Sequence, residues 1–309
     1  MKVVITGGAG FIGSHISEYW SKNGAEVHVI DNLRTGYQKN IKHLKSINFH
    51  NGSITDAQLV NRVLENTDYV FNLAALVSVP ESLQKPQECV NINVIGLLNI
   101  LEAAKNHGVQ KVVNTSSAAV YGDDPELPKR VSMNPAPKTP YSITKLDGEY
   151  YCNMYKNEFS MNTVSLRYFN VFGPRQDPKS QYAAAVPIFI HKAIKNETIK
   201  IFGDGTQTRD FIFVRDVVKA NVLAAEKLDA RGVYNVANGN SISILELTEI
   251  IIDLTGSKSN IEFADERPGD IKHSIASIEE TIKDLKFQPL KKLKHEIAET
   301  ILFFEKTII

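Results

Sequence analysis

The first thirty-one residues leave this chain few ways to fold. Lys2-Val3-Val4-Ile5-Thr6 reads as a short buried strand. It runs into Gly7-Gly8-Ala9-Gly10-Phe11-Ile12-Gly13, with glycines 7, 10 and 13 in G-x-x-G-x-x-G spacing, and then into an amphipathic stretch through Trp20. Such glycines permit a tight turn, close approach of the backbone to a pyrophosphate, and helix-to-strand packing. The helix start offers free N–H groups and a positive dipole end to phosphates. A second strand, Glu26-Val27-His28-Val29-Ile30, ends on Asp31. A carboxylate there accepts both ribose hydroxyls of NAD and repels the 2′-phosphate of NADP, although Arg34 stands close by. Strand, turn, helix, strand and acid in this order predict a dinucleotide site; a glycine-rich turn without a ligand is the weaker alternative.

Alternation continues through the first half. Further strands are expected at 47–50, 69–73, 111–116 and 163–167, and helices at 56–65, 87–107 and 141–159. This predicts a doubly wound, mostly parallel α/β sheet of Rossmann type, with ligands at the carboxyl ends of its strands. Gly7–Gly13, Leu73-Ala74-Ala75, Ser116-Ser117 and Tyr168-Phe169-Asn170 fall at those ends. The second half is less regular, with a Gly-, Pro- and charge-rich loop over 172–182 and helices at 216–227, 244–255 and 291–305. The expected division is a nucleotide-binding domain over 1–167, to which segments near 208–240 return, and a smaller mixed α/β substrate lobe over 168–309.

The 309 residues carry thirty-five basic and thirty-five acidic side chains, so no global charge favours nucleic acid or an anionic membrane. No apolar run reaches the length of a membrane span, and no charged leader precedes an apolar stretch. Cys89 and Cys152 show no metal spacing and point to a reduced compartment, the cytoplasm. They read as two half-buried thiols. His15, His28, His43, His50, His107, His191, His273 and His295 are scattered with no ligand spacing, so no metal site is expected.

Tyr141 and Lys145 form a Y-x-x-x-K pair behind Thr139 and Pro140, a helix-start signature. Residues four apart share one helix face. A lysine ammonium beside a phenol stabilises the phenolate, which otherwise forms only near pH ~10. Such a tyrosine can take the proton of a sugar hydroxyl while a nicotinamide takes the hydride from the same carbon. Ser117, at a strand end, can hydrogen-bond that same oxygen. The bland readings are a packing aromatic, a solvated lysine and a small turn residue.

With these motifs the chain resembles the extended short-chain dehydrogenase/reductase family, and within it the UDP-hexose 4-epimerases. The resemblance also runs through Asn72-Leu73-Ala74-Ala75, Asn93-Val94-Ile95-Gly96, Ser116–Gly122, Leu166–Pro174, Arg209-Asp210-Phe211 and Arg267-Pro268-Gly269-Asp270. It implies a tightly held NAD, with Gly7, Gly10, Phe11, Ile12, Gly13, Asp31, Asn32, Ser53, Ile54, Leu73, Ala74, Ala75, Asn93, Tyr141, Lys145 and Tyr168 around it. Ser53 stands where many relatives carry an aspartate against adenine. Ser117, Tyr141 and Lys145 are implied as the catalytic set. The family's 4,6-dehydratases place an acid after the catalytic Ser/Thr; here Ala118 and Ala119 can neither give nor take a proton, which favours an epimerase.

A UDP-sugar is the implied partner. Arg209, Arg267 and Asn170 match diphosphate-binding positions, and Ala184, Ala185, Ile201 and Phe202 would lie against uracil. Ser78, Asp270 and Ser274 fall near the sugar. Enzymes limited to glucose and galactose carry tyrosine at the gate beside C2. Ser274 there leaves room for an N-acetyl group, so the expected substrates are UDP-N-acetylglucosamine and UDP-N-acetylgalactosamine, with UDP-glucose and UDP-galactose beside them. UDP-glucuronate 4-epimerisation is the alternative, and a dehydratase or decarboxylase a more distant one. The apolar stripe Val90, Val94, Leu97, Leu98, Leu101 reads as core. The resemblance also implies a homodimer, with helix 87–107 and the Tyr–Lys helix forming a four-helix bundle.

Overall fold

The computed structural model describes residues 1–178, 185–266 and 271–308. Seven parallel strands form one sheet in the order β11-β6-β5-β4-β1-β2-β3. They are β1 (Lys2–Thr6), β2 (Glu26–Asp31), β3 (Ile47–Asn51), β4 (Tyr69–Asn72), β5 (Lys111–Ser117), β6 (Thr163–Tyr168) and β11 (Gly232–Val236). The chain winds one way from β1 to β3 and the other from β4 onward, so the sheet reverses between β1 and β4. A crevice opens there at the strand ends.

Side chains alternate across the sheet with period two. Val3, Ile5, Val27 and Val29 face one core, with Trp20 of α1 (Phe11–Lys22) and Val217 of α8 (Val214–Glu226). Val4, Ile30, Val70 and Val112 face the other. That second core is filled by Leu59 of α2 (Ala57–Val63), Leu97 and Leu101 of α5 (Gly96–Asn106), and Tyr155 of α6 (Pro140–Phe159). Helix starts are chemically marked: Asp56 accepts the N–H groups of Gln58 and Leu59, and Thr139 with Ser142 forms a capping box ahead of α6.

A third cluster, with Phe172, Ile190, Phe213, Leu247, Ile297 and Phe304 at its centre, builds the smaller lobe. It joins α7 (Ala185–Ile194), α9 (Ile244–Thr255) and α11 (Leu293–Ile308) to short strand pairs. These are β7 (Asn170–Phe172) with β10 (Phe211–Phe213), β8 (Ile199–Phe202) with β13 (Ile261–Ala264), and β9 (Thr208–Arg209) with β12 (Ile242–Ser243). Strand β11 comes from the later half and pairs with β6, Tyr234 opposite Leu166. Helix α10 (Glu279–Leu285) packs beside it.

The expected helix over 87–107 runs continuously over 86–106 but widens in its middle. After α3 (Val79–Gln84) come α4 (Pro86–Val90), a π-helical stretch over Asn91–Ile95, and then α5. Apolar periodicity does not register one residue of widening in a turn. A Cβ on Gly96 would lie 2.5 Å from Ile54 Cδ1, so the chain passes Ile54 at backbone distance. Val94, Leu97 and Leu101 are buried as the stripe predicts, whereas Val90 is exposed. Both cysteines are fully buried free thiols, deeper than the sequence suggests. No helix among the described residues is long and apolar enough to cross a membrane.

Glu296 of α11 is 1 % exposed and neither carboxylate oxygen has a hydrogen-bond partner. Burial, then the charge of Asp216, pushes its pKa up to about 7. A carboxyl raised in the folded state binds its proton more tightly there than in the unfolded chain. Its contribution to stability therefore falls as pH rises from about 4.5 through about 7. Glu296→Gln should raise Tm at pH 8, by the equivalent of about 1–3 kcal/mol, and leave it nearly unchanged at pH 4.5. Calorimetry at both pH values checks this; an equal change at both would show that ionisation is not the cause.

Candidate active site

A cavity of about 620 Å³ opens at the carboxyl ends of β1, β2, β4, β5 and β6. Its floor is the glycine turn. Gly7 has φ +67°, and a Cβ there would lie 2.8 Å from the Ala74 amide nitrogen. At Gly13 a Cβ would lie 2.2 Å from the Gly7 carbonyl oxygen. The first turn of α1, residues 11–13, lines the cavity, and no side chain caps the helix at Gly10. Its amide hydrogens are thus left for an anion.

Asp31 ends β2 at the cavity wall. Its carboxylate accepts the N–H of Ala9 at 3.0 Å and of Leu33 at 2.8 Å, which fixes it beside the turn. Asn32, Ser53, Ile54, Leu73, Ala74, Ala75 and Tyr168 also line the cavity. The Tyr168 hydroxyl shares hydrogen bonds with Asn221, and burial pushes its pKa up to about 12. The turn, the acid and the open helix start make a cradle that fits a dinucleotide pyrophosphate and ribose.

Asn93 stands differently from its expected place. It is buried off the cavity, taking the Leu76 N–H at 2.7 Å and donating to the Leu76 carbonyl and to Thr144 Oγ1. It ties the loop after β4 to the helix of Tyr141. Both ends of its amide are committed, so it positions the cavity wall.

Tyr141 and Lys145 project from α6 into the cavity beside Ser117. The two adjacent serines divide by strand alternation. Ser116 donates to buried Glu149 at 2.5 Å, while Ser117 Oγ accepts the Ala119 N–H at 3.2 Å and lies in hydrogen-bonding reach of the Tyr141 phenol. Burial pushes the phenol up, and the Ser117 hydroxyl pulls it back down. The pair spacing predicts that Lys145 supplies that pull. Its ammonium instead donates to the Thr115 carbonyl at 2.8 Å, 5.9 Å from the Tyr141 ring centre, because the long stem reaches past the phenol to β5. Burial lowers the Lys145 pKa to about 8.

The remaining described positions lie beyond this cavity. Ser78 caps α3 by accepting the Glu81 N–H at 3.1 Å. Asn170 Nδ2 donates to the Asp210 carbonyl at 3.1 Å. Arg209 Nη1 donates to the Thr208 carbonyl at 2.9 Å, and the Ser274 N–H donates to that same carbonyl at 3.1 Å, so these two positions share one ribbon. Ala185 and Phe202 are half-buried, but Ile201 is 1 % exposed within the core of the smaller lobe. Ile201 therefore opens onto no surface that uracil could touch in this geometry. Ala184, Arg267 and Asp270 lie outside the described residues.

Several lining residues lie outside the positions expected to bind. Tyr37 and Asp177 come from opposite rims and join at 2.6 Å. Arg175 and Gln176 stand beside them, in the charged loop over 172–182. Asp210 is fully buried and accepts the N–H groups of Asn238, Gly239 and Ala276. The histidines are also less scattered than they read: His28 Nδ1 lies 3.0 Å from His50 Nε2 through the β2–β3 register. No group of three or more metal-binding side chains occurs among the described residues.

Residues 3–237 match the model of the NAD dependent epimerase/dehydratase family. The chain belongs to that family. It is 37 % identical over 309 residues to a UDP-glucose 4-epimerase of Mycolicibacterium smegmatis, covering 98 % of each chain. Among solved structures it is similar to the UDP-N-acetylglucosamine 4-epimerase of Methanobrevibacter ruminantium, in complex with UDP-N-acetylmuramic acid. There the TM-score is 0.96 and identity 41 %, over 99 % of this chain and 98 % of that one. It is also similar to a UDP-glucuronic acid 4-epimerase mutant of Bacillus cereus, in complex with UDP-4-deoxy-4-fluoro-glucuronic acid and NAD. That match has TM-score 0.91 and identity 30 %, over 99 % and 100 % of the chains. This family member is an epimerase, an isomerase by class, and its cofactor is NAD.

If Tyr141 exchanges the reacting proton, Tyr141→Phe should cut turnover by ~10²-fold or more in a folded protein. Ser117→Ala removes the hydroxyl that pulls the phenol down. The rising limb of the kcat pH profile should then move to higher pH by roughly one unit, the size of one hydrogen bond to a charged group. An unmoved limb in a folded Ser117→Ala protein would separate Ser117 from the phenol.

Proposed function

We propose that this chain, an NAD-dependent 4-epimerase of UDP-sugars, interconverts UDP-N-acetylglucosamine and UDP-N-acetylgalactosamine, and accepts UDP-glucose and UDP-galactose as well. NAD, held by the glycine turn and Asp31, would supply the hydride chemistry at C4 of the sugar. Tyr141 as phenolate accepts the proton of the 4-hydroxyl and gives it back to the same oxygen after the 4-keto sugar has turned. Ser117 donates a hydrogen bond to that oxygen. Lys145, anchored on the Thr115 carbonyl, keeps a positive charge beside the phenol below about pH 8. Ala118 and Ala119 offer neither acid nor base, so nothing there draws the chemistry toward loss of the C6 hydroxyl.

The division of labour we propose is NAD on 1–167 with the returning stretch near 208–240, and sugar nucleotide on 168–309. Arg209 and Arg267 would hold the diphosphate, since a guanidinium fork matches phosphate oxygens. Asn170 would assist them, with uracil against Ala184, Ala185 and Phe202. The two buried thiols suit a reducing compartment, the cytoplasm.

A homodimer is part of the same reading. Ile143, Tyr150 and Met154 are exposed along α6, and Val90 and Ile95 are exposed on the helical run that packs beside it. Such a patch suits helix-to-helix burial against a second copy. The native protein should run as a dimer by light scattering, and Tyr150→Glu with Met154→Glu should make it a monomer. A native monomer, or a doubly charged variant that stays dimeric, removes this interface.

The preference among sugars rests on Ser274. It is small and half-buried, and its main chain is fixed to Thr208. Replacing it with tyrosine fills the space proposed for the acetamido group, and overpacking costs about 1–3 kcal/mol. Ser274→Tyr should lower kcat/KM for UDP-N-acetylglucosamine relative to UDP-glucose by roughly 5- to 150-fold. An unchanged ratio would detach Ser274 from C2. The native enzyme should be assayed with the same pair and with UDP-glucuronate, products being identified by NMR; faster turnover of UDP-glucuronate would replace the N-acetylhexosamine reading.

A further inference from the structure

Arg34 lines the cofactor cavity three residues after Asp31. A guanidinium in that place is the natural partner of a 2′-phosphate. It is already engaged. Nη2 donates to Glu81 Oε1 at 2.8 Å and Nη1 to Glu88 Oε1 at 2.5 Å. Both acids come from a different part of the chain, Glu81 on α3 and Glu88 on α4. Lys85 lies 3.3 Å from Glu81 and 3.8 Å from Glu88, so two cations and two anions close the cluster. Hydrogen bonding to Arg34 holds both carboxyls below their usual range.

We propose that Glu81 and Glu88 decide which dinucleotide the cavity accepts, by occupying Arg34. A phosphate binds arginine through a fork of two N–H groups. With a carboxylate on each Nη, the end-on fork of Arg34 is occupied and its charge is already matched. A dianionic 2′-phosphate arriving there would meet Asp31, Glu81 and Glu88 and a cation whose charge is already matched. NADP is thus refused by two devices: repulsion at Asp31, and the engagement of the arginine three residues beyond it that could offset that repulsion. Glu81 and Glu88 act through Arg34 and are positioning residues. This inference rests on the cofactor and not on the sugar proposed above, so its failure would leave that reading standing.

The test reads bound nucleotide rather than turnover. Native protein and Glu81→Gln/Glu88→Gln protein are held with equal concentrations of NAD and NADP until bound nucleotide stops changing. The protein is then denatured and both nucleotides are quantified. The double variant should carry a bound NADP:NAD ratio roughly 3- to 30-fold above native, the scale set by two exposed ion pairs. Adding Arg34→Gln should abolish the gain. An unchanged ratio in the folded double variant overturns the proposal, and so does a gain that survives without Arg34. If the double variant does not fold, Glu88→Gln alone, at the more exposed acid, should shift the ratio in the same direction; no shift there is equally fatal.

Discussion

Gly13 passes so close to Gly7 that a single methyl on it would touch the Gly7 carbonyl. The rest of the site depends on that contact. It brings the open end of α1 against the end of β1, where the sheet reverses direction. Ala9, between them, is gripped from three sides: its N–H goes to Asp31, and its carbonyl receives the Tyr37 N–H and the Asn40 amide. Turn, first helix and second strand therefore form one rigid unit, so the direction of the helix N–H groups and the height of the Asp31 carboxylate are set together. The hydride chemistry proposed above would need a cofactor floor that does not shift between half-reactions.

The reacting end balances opposing pulls. Burial drives the Tyr141 phenol and the Lys145 ammonium toward their neutral forms. Ser117 favours the phenolate, and the Thr115 carbonyl gives the ammonium a fixed partner. A group that takes and gives the same proton, as proposed for Tyr141, is best left near such a balance, because a strongly favoured form on either side would slow one half of the cycle. Asn93 extends the coupling, since one amide bonds the cavity loop at Leu76 and the α6 residue Thr144 together.

What was legible in the sequence is what is local. The glycine turn, Asp31 and the Tyr141–Lys145 spacing each announce themselves within a few residues, because turn sterics and helix periodicity act over that range. The parallel sheet followed from alternation. What stayed hidden depends on register and distance. No local pattern shows that β6 is the strand β11 pairs with, that His28 stacks on His50, or that Arg34 meets Glu81 and Glu88. The π-helical stretch at Asn91–Ile95 and the buried fate of Ile201 are set by neighbours far along the chain. The Tyr–Lys pair was legible only in part: helix spacing places the Lys145 ammonium over the Tyr141 ring, but side-chain length decides that it bonds the Thr115 carbonyl.

Position 274 sits on a segment whose main chain is held without help from the Ser274 side chain. The N–H of Ser274 goes to Thr208, Thr208 in turn bonds the Lys272 carbonyl, and Ala276 is held by buried Asp210. The scaffold thus specifies where a side chain at 274 will stand without specifying what it must be. If position 274 faces the sugar as proposed, a one-codon change there would alter the shape presented to a ligand while the main-chain bonds that place it stay as they are. Selection on substrate range could then act at this place with little drag from selection on stability, and a lineage built on this frame could wander between sugars while its backbone stays the same.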